Sequence, residues 1–195
     1  WRKARRRLPA AYRKLFSDHW IGRSSVVYPG IESLRPPVLT ETKVAESVII
    51  WNHRWDHDKK PELFYRQLCC LREQPFRLIL LGEQRSDVHP IFKRISQEFS
   101  DKIITQGYAH SRSRYLDYLQ MADICISTAE HEFFGISVME AFQAGCKLIL
   151  PRKLSYPELF SDEEVYFWHN EQELSATLRQ QLGSKKKRSY RQLKS

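Results

Sequence analysis

The sequence predicts an α/β domain built on a parallel, doubly wound sheet. Short apolar runs, typical of buried strands, alternate with longer segments of helical apolar spacing over most of the chain. Such alternation favours parallel strands joined by right-handed crossovers. A hydrophobic fraction of 42% and an aromatic fraction of 12% support a packed globule over a disordered chain.

Four strand-then-helix units and a fifth strand carry this prediction. The predicted strands are residues 47–51, 76–81, 102–106, 123–127 and 147–150. The predicted helices are residues 61–71, 89–99, 111–121 and 135–144. In parallel sheets of this kind the ligand binds at the carboxyl ends of the strands. The loops that follow Trp51, Leu81, Gln106, Ser127 and Leu150 are therefore the candidates for a site.

The two ends of the chain differ in charge from its centre. Residues 1–23 are predicted to form a basic amphipathic helix and a connection, residues 24–183 the α/β domain, and residues 184–195 a basic tail. The net charge is +9, yet residues 1–15 and 185–194 hold thirteen of the 32 bases and no acid, which leaves 19 bases against 23 acids in the rest of the chain. Any contact with a polyanion therefore belongs to the ends, although solvated tails explain the same pattern.

Apolar run lengths and the cysteines predict the cellular compartment of the protein. The apolar runs are too short for a membrane span, and no charged-then-apolar leader is present, so we expect a cytoplasmic protein without stable membrane association. The cysteines form no C-x-x-C pair, and we expect reduced thiols. They are Cys69, Cys70, Cys125 and Cys146.

One stretch, residues 128–141, organises the functional prediction. It follows a buried strand, passes through Gly135 and enters a helix, whose N-terminal N–H groups and partial positive charge suit a phosphate. Glu132 and Glu140 flank that position, eight residues apart. A phosphate would repel both carboxylates, so we expect them to bind the hydroxyl groups of sugars on either side of it. Sugar, phosphate and sugar together describe a nucleotide sugar.

The string E-F-F-G-I at residues 132–136, with Glu140 after it, resembles a known signature. This is the E-x7-E motif, commonly E-G-F-G-L-x-x-x-E, of retaining glycosyltransferases with the GT-B fold, which has two Rossmann-like domains. The resemblance implies that residues 24–183 are the C-terminal, nucleotide-sugar-binding domain. The sequence departs from the motif at Phe133, where glycine is usual, which predicts a different hold on the donor sugar.

The same resemblance implies catalytic roles for Arg54, Lys59 and Glu132. Arg54 and Lys59 are spaced as in the family's G-R-x-x-x-x-K, whose two bases neutralise the donor diphosphate. An arginine grips a phosphate with two parallel hydrogen bonds, whereas a lysine supplies a point charge. A surface salt-bridge cluster with Asp56 and Asp58 is the alternative.

Further residues are implied to contact the donor. Gly82 would let its loop approach a ligand closely. Gly107 and Tyr108 lie where related enzymes hold the nucleotide base through backbone groups, His131 would have a positioning role, and Glu140 would bind the ribose. The predicted donor-binding set is Gly82, Gly107, Tyr108, His131, Phe133, Phe134, Gly135 and Glu140.

No metal or other cofactor is expected. Asp56-His57-Asp58 resembles the D-x-D metal motif of another glycosyltransferase architecture, and His53 with His57 could serve as ligands. Flanking basic residues oppose a cation, however, and a diphosphate neutralised by Arg54 and Lys59 needs none.

A longer stretch of the sequence is similar to one branch of these glycosyltransferases, the tRNA-queuosine mannosyltransferases. It runs from about residue 24 to residue 160 and includes H-R-W-D-H-D-K at residues 53–59 and H-E-F-F-G at residues 131–135. The branch implies transfer of mannose from GDP-mannose, with retention, to queuosine in tRNA. It also implies an N-terminal acceptor domain in the same gene product, without which the chain would be inactive. A lipid or small-molecule acceptor, and a non-catalytic nucleotide-sugar or RNA-binding module, remain alternatives.

Overall fold

A computed structural model describes residue 25, residues 30–31, residues 46–83 and residues 90–183. The chain divides into two units, Trp1–Gly30 and Ile31–Ser195, and the architecture below is that of the second unit. The predicted N-terminal helix and basic tail lie outside the described residues, so the predicted domain limits stay predictions.

The described residues form a six-stranded, entirely parallel sheet with helices between the strands. The strands are β1 (Ser47–Asn52), β2 (Phe76–Leu81), β3 (Ile103–Gly107), β4 (Ile124–Ile126), β5 (Lys147–Pro151) and β6 (Tyr166–Trp168). The helices are α1 (Pro61–Cys70), α2 (Pro90–Glu98), α3 (Arg112–Met121), α4 (Ile136–Gln143), α5 (Tyr156–Leu159) and α6 (Glu171–Leu182), and a 3₁₀ turn covers His57–Lys59.

The strand order across the sheet is β3-β2-β1-β4-β5-β6. The chain therefore moves outward from β1 to β3, returns to the other side of β1 with β4, and continues outward to β6. This reversal is the mark of a doubly wound sheet, and it opens a crevice at the carboxyl ends of β1 and β4. The predicted fold class is confirmed.

The sheet is buried on both faces, which explains the continuous apolar runs of its strands. Successive side chains of β1 point to opposite faces. Ile49 and Trp51 pack in one core cluster with α1, α2 and α6, and Val48 and Ile50 pack in the other with α3, α4 and α5. Each fully buried side chain of this size contributes roughly 1.5–3 kcal/mol.

Two elements at the end of the domain were not predicted. β6 is a short aromatic strand that pairs with β5, and α6 follows it. Asn170 caps α6 by accepting the N–H of Glu173 at 2.9 Å. The sequence does carry signals for this helix, because N-x-x-E is a capping pattern and Leu174, Leu178 and Leu182 recur every four residues.

Backbone contacts join the loops after β1, β2 and β3. The N–H of Gly82 donates to the carbonyl oxygen of Gly107 at 3.0 Å, and the N–H of Trp55 donates to the carbonyl oxygen of Glu83 at 3.2 Å. A Cβ at Gly82 would lie 1.8 Å from the carbonyl oxygen of His53 and 2.7 Å from Cδ1 of Trp55. The glycine is therefore required by the packing of two loops, whether or not a ligand also approaches it.

We expect Gly82→Ala to lower the free energy of unfolding by roughly 1–3 kcal/mol or more, because backbone must move to admit the methyl group. Urea titration followed by circular dichroism measures the change. Gly183→Ala is the matched control, since its Cβ would have no atom closer than 3.8 Å and its backbone is right-handed helical. Equal midpoints for Gly82→Ala and the unmutated protein would contradict the prediction.

Candidate functional site

The loops after β1 and β4 meet at the point where the strand order reverses. Lys59, at the end of the 3₁₀ turn, is buried there. Its Nζ donates to the carbonyl oxygen of His131 at 2.6 Å and forms ion pairs with Glu132 at 3.3 Å and Asp58 at 2.9 Å. Two of the residues assigned a catalytic role, Lys59 and Glu132, are thus in direct contact although 73 residues separate them.

Glu132 also determines the shape of its own loop. Its Oε1 accepts the N–H groups of Phe133 at 3.1 Å and Gly135 at 3.2 Å, while Oε2 faces Lys59. Gly135 is the N-cap of α4 with φ of 81°, a left-handed conformation that favours glycine. A Cβ at Gly135 would also lie 2.9 Å from Cε1 of Tyr156. The loop that leads into α4 is therefore fixed by side-chain and backbone contacts together.

The aromatic and histidine side chains of this loop lie in different environments. Phe133 is 98% exposed, whereas Phe134 is partly buried against the core cluster that contains α4. His131 is exposed, and its carbonyl oxygen, rather than its imidazole, makes the recorded contact with Lys59. The predicted donor contacts of these three side chains stay predictions.

A cavity of about 410 Å³ opens beside this loop, at the ends of β1, β2 and β3. It is lined by Asn52, His53, Arg54, Leu81, Gly82, Glu83, Tyr108, Ala109, Ser111, Arg112, Tyr115 and Glu140. Four predicted site residues therefore share one cavity: Arg54, Gly82, Tyr108 and Glu140. Lys59, Glu132 and Gly135 do not line it, so the predicted residues form two neighbouring groups.

Glu140 is buried, and both of its oxygens have protein partners. Oε1 pairs with Nη2 of Arg112 at 2.7 Å, and Oε2 accepts the hydroxyl of Tyr115 at 2.8 Å. Asn52 donates from Nδ2 to the Tyr115 oxygen at 3.2 Å and to the carbonyl oxygen of Ser137 at 2.9 Å. Burial, and then the charge of Glu140, raise the pKa of Tyr115 well above its usual value, so Tyr115 stays a hydrogen-bond donor.

Sequence reasoning missed Asn52, Arg112 and Tyr115. The available signals were position and spacing: Asn52 is the polar last residue of a buried strand, and Arg112 and Tyr115 are three apart at the start of a helix. Ser111 caps that helix by accepting the N–H of Arg114 at 3.1 Å, which places its first turn at the cavity.

His53 is a further buried residue of the site that sequence reasoning considered only as a metal ligand. Its Nε2 has no hydrogen-bond partner among the described residues. Burial, and next the positive charge of Lys59, lower the pKa of His53 from 6.5 to about 4. The imidazole is therefore neutral near pH 7.

The described residues contain neither a metal-binding cluster nor a membrane-spanning helix. Within residues 46–83 and 90–183, no group of three or more His, Cys, Asp or Glu side chains is arranged to hold a metal ion. None of the described helices has the length and apolar character to cross a bilayer.

We expect acid to destabilise the fold through His53. The unfolded chain binds a proton at His53 below about pH 6.5, whereas the folded chain does so only near pH 4, so stability falls as the pH falls between these values. From pH 7 to pH 5 the loss is roughly 2 kcal/mol. Urea titrations across this range measure it. Lowered carboxyl pKa values, such as that of Glu98 at about 2, contribute only at lower pH.

The matched variants for this measurement are His53→Gln and His110→Gln. His53→Gln removes the buried imidazole and should flatten the stability profile between pH 7 and pH 5. His110 is exposed, so His110→Gln should keep the slope of the unmutated protein. If His53→Gln kept the full slope, another group would be responsible for it.

Comparison with known proteins assigns the chain to a family. The family model for glycosyl transferases group 1 matches residues 40–193. A tRNA-queuosine alpha-mannosyltransferase of Drosophila melanogaster is 41% identical over 120 residues, which cover 60% of this chain and 32% of that protein. The chain thus spans about a third of the length of this relative.

Solved structures agree with the fold. The C-terminal domain of a glycosyl transferase group 1 family protein from Francisella tularensis matches with a TM-score of 0.61 and 20% identity, over 71% of this chain and 76% of that one. Sucrose-phosphate synthase from Thermosynechococcus elongatus matches with a TM-score of 0.59 and 19% identity, over 72% of this chain and 37% of that one.

Likenesses at this identity show the architecture, which is the Rossmann-like domain of GT-B glycosyltransferases. The family follows from the extent of the sequence match. The chain belongs to the glycosyl transferases group 1 family.

Proposed function

We propose that this chain binds the donor in a cytoplasmic, retaining glycosyltransferase that transfers mannose from GDP-mannose to queuosine in tRNA. The observation that carries the donor part is the contact between Lys59 and Glu132 at the strand reversal, directly beside a cavity lined by Arg54 and Glu140. The mannose and tRNA parts are supported by the relative from Drosophila melanogaster and its 41% identity.

The two neighbouring groups of residues suit the two parts of a nucleotide sugar. The cavity is large enough for a nucleoside and contains Glu140, a carboxylate that can accept ribose hydroxyls. Helix α4 begins beside it with a glycine N-cap, which has no side chain to satisfy the first N–H groups. A diphosphate placed at this terminus would pair with those groups and with the partial positive charge of the helix.

The two basic residues would act differently on that diphosphate. Lys59 is buried and held by three oxygen partners, so it offers a fixed positive charge. Arg54 is exposed at the cavity and can close onto a phosphate with two parallel hydrogen bonds. As the bond from the sugar to the diphosphate breaks, negative charge grows on the leaving oxygen, and fixed cations stabilise that charge most.

Donor choice is tested by calorimetry on the 195-residue chain with GDP-mannose, GDP and UDP-glucose. We expect GDP-mannose and GDP to bind and UDP-glucose to bind more weakly. Preference for UDP-glucose would overturn the mannosyltransferase proposal and leave the glycosyltransferase family unchanged. Failure to bind any of the three would overturn donor binding itself.

Acceptor choice is tested with a chimera in which this chain replaces the matching segment of the Drosophila relative. Calorimetry with GDP first shows that the chimera binds nucleotide. Queuosine-containing tRNA is then incubated with GDP-mannose, and its nucleosides are analysed for a mass increase of one hexose. We expect the increase with the chimera and none with the 195-residue chain alone, which supplies one wall of the site and so loses the contribution of proximity. A chimera that binds GDP and modifies only a lipid or small molecule would overturn the tRNA proposal.

Arg54→Ala should weaken GDP-mannose binding by roughly 1.5–3 kcal/mol, the scale of a hydrogen-bonded charge, with little effect on folding because Arg54 is exposed. Calorimetry and urea titration measure the two quantities. Lys93→Ala removes an exposed positive charge from α2 and should change neither. Lys59 is less suitable for this test, because its removal leaves Asp58 and Glu132 without their shared cation. Unchanged GDP-mannose affinity in Arg54→Ala would remove Arg54 from the diphosphate site.

A further inference from the structure

The cavity contains a second carboxylate, Glu83, to which the donor site described so far gives no role. Glu83 directly follows Gly82 after strand β2, and its side chain is exposed where it lines the cavity. Its backbone is anchored, because its carbonyl oxygen accepts the N–H of Trp55 at 3.2 Å. The position of this carboxylate at the cavity is therefore set by the packed loops after β1 and β2.

Glu83 differs from Glu140 in its surroundings. Glu140 is buried and held by Arg112 and Tyr115. The Glu83 carboxylate, by contrast, forms no ion pair or hydrogen bond within the part of the chain that the structure describes. A carboxylate in a cavity that receives an anionic diphosphate is electrostatically unfavourable unless the ligand offers it hydrogen-bond donors.

A nucleoside diphosphate has donors only on its sugar and its base. The ribose hydroxyls are already matched to Glu140 in the proposed arrangement, which leaves the base. Glu83 lies at the end of β2, on the side of β1 away from the phosphate loop that follows β4. Tyr108, at the end of neighbouring β3, lines the same side of the cavity with 73% exposure and offers a ring on which a base can stack.

Among the common bases, guanine presents the donor pattern that a carboxylate requires. Its N1–H and its 2-amino group lie side by side and can donate to the two oxygens of one carboxylate, which is an acceptor only. Adenine has an acceptor at N1, and uracil has a single N–H between two carbonyl oxygens, so each places an acceptor against a carboxylate oxygen. A carboxylate at this place therefore favours guanine over both.

We propose that Glu83 selects the base of the donor by accepting the N1–H and 2-amino groups of guanine, while Tyr108 supplies a stacking surface without base preference. This inference rests on the proposed function, since it requires a nucleoside diphosphate in the cavity. It adds a residue that determines which nucleotide is bound.

The test compares GDP with IDP, whose base differs from guanine only in lacking the 2-amino group. Calorimetry on the 195-residue chain should show GDP binding tighter than IDP by about 10- to 100-fold, the range for one hydrogen bond to a charged group. In Glu83→Ala the two nucleotides should bind with similar affinity. Glu83→Gln keeps the shape of the side chain but can no longer accept both N–H groups, so it too should reduce the ratio.

Two control variants separate base selection from general damage. Tyr108→Ala should weaken GDP and IDP by the same factor and keep their ratio, because stacking does not depend on the 2-amino group. Glu163→Ala removes an exposed carboxylate that does not line the cavity and should change neither affinity. Urea titration of each variant shows that it is folded.

The outcomes distinguish this inference from the proposed function. A GDP-to-IDP ratio that is the same in Glu83→Ala, Glu83→Gln and the unmutated protein would overturn the role of Glu83 while donor binding stands. Equal affinity of the unmutated protein for GDP and IDP would also overturn the role of Glu83 while donor binding stands. Absence of binding to any nucleoside diphosphate would overturn the proposed function and this inference with it.

Discussion

The site depends on one buried ammonium group, that of Lys59. Its removal from water is compensated only because Asp58, Glu132 and the carbonyl oxygen of His131 surround it. Through Glu132 the same charge reaches the backbone of Phe133 and Gly135, whose N–H groups bind the other carboxylate oxygen. The start of α4, and any ligand held there, is therefore positioned by an ion pair between two loops.

The sheet was predictable because its signals are local. Apolar strands and amphipathic helices show their periods within ten residues, and all five predicted strands lie within one residue of the observed bounds at each end. β6 was missed because three aromatic residues beside a polar turn carry no clear period. The contact between Lys59 and Glu132 could be anticipated only through a resemblance, since nothing local relates residues that far apart.

The polar lining of the cavity was harder to predict. The spacing of Arg112 and Tyr115 does not by itself predict a function. Their place in the site follows from their contacts with Glu140, which folding brings to them from another helix. Gly82 illustrates the converse case. A glycine after a strand suggests a close approach by a ligand, yet here the nearest atom is a protein carbonyl oxygen. Sequence patterns locate such residues well but do not say what their neighbours are.

The long separation between the two halves of the ion pair has a consequence for how the chain folds. Lys59 and Glu132 are 73 residues apart. The central strand β1 pairs with β2 on one edge, and its other edge is paired only after β4 has formed. Contacts of such sequence separation form late, because loop closure must precede them. During synthesis, a chain that ends before residue 132 contains β1 to β4 and Asp58 but lacks Glu132, the carboxylate that joins the buried lysine to the loop after β4. The proposed nucleotide site is therefore complete only once the residues after Glu132 have emerged and docked, so a bound nucleotide would stabilise the finished domain without assisting its earlier intermediates.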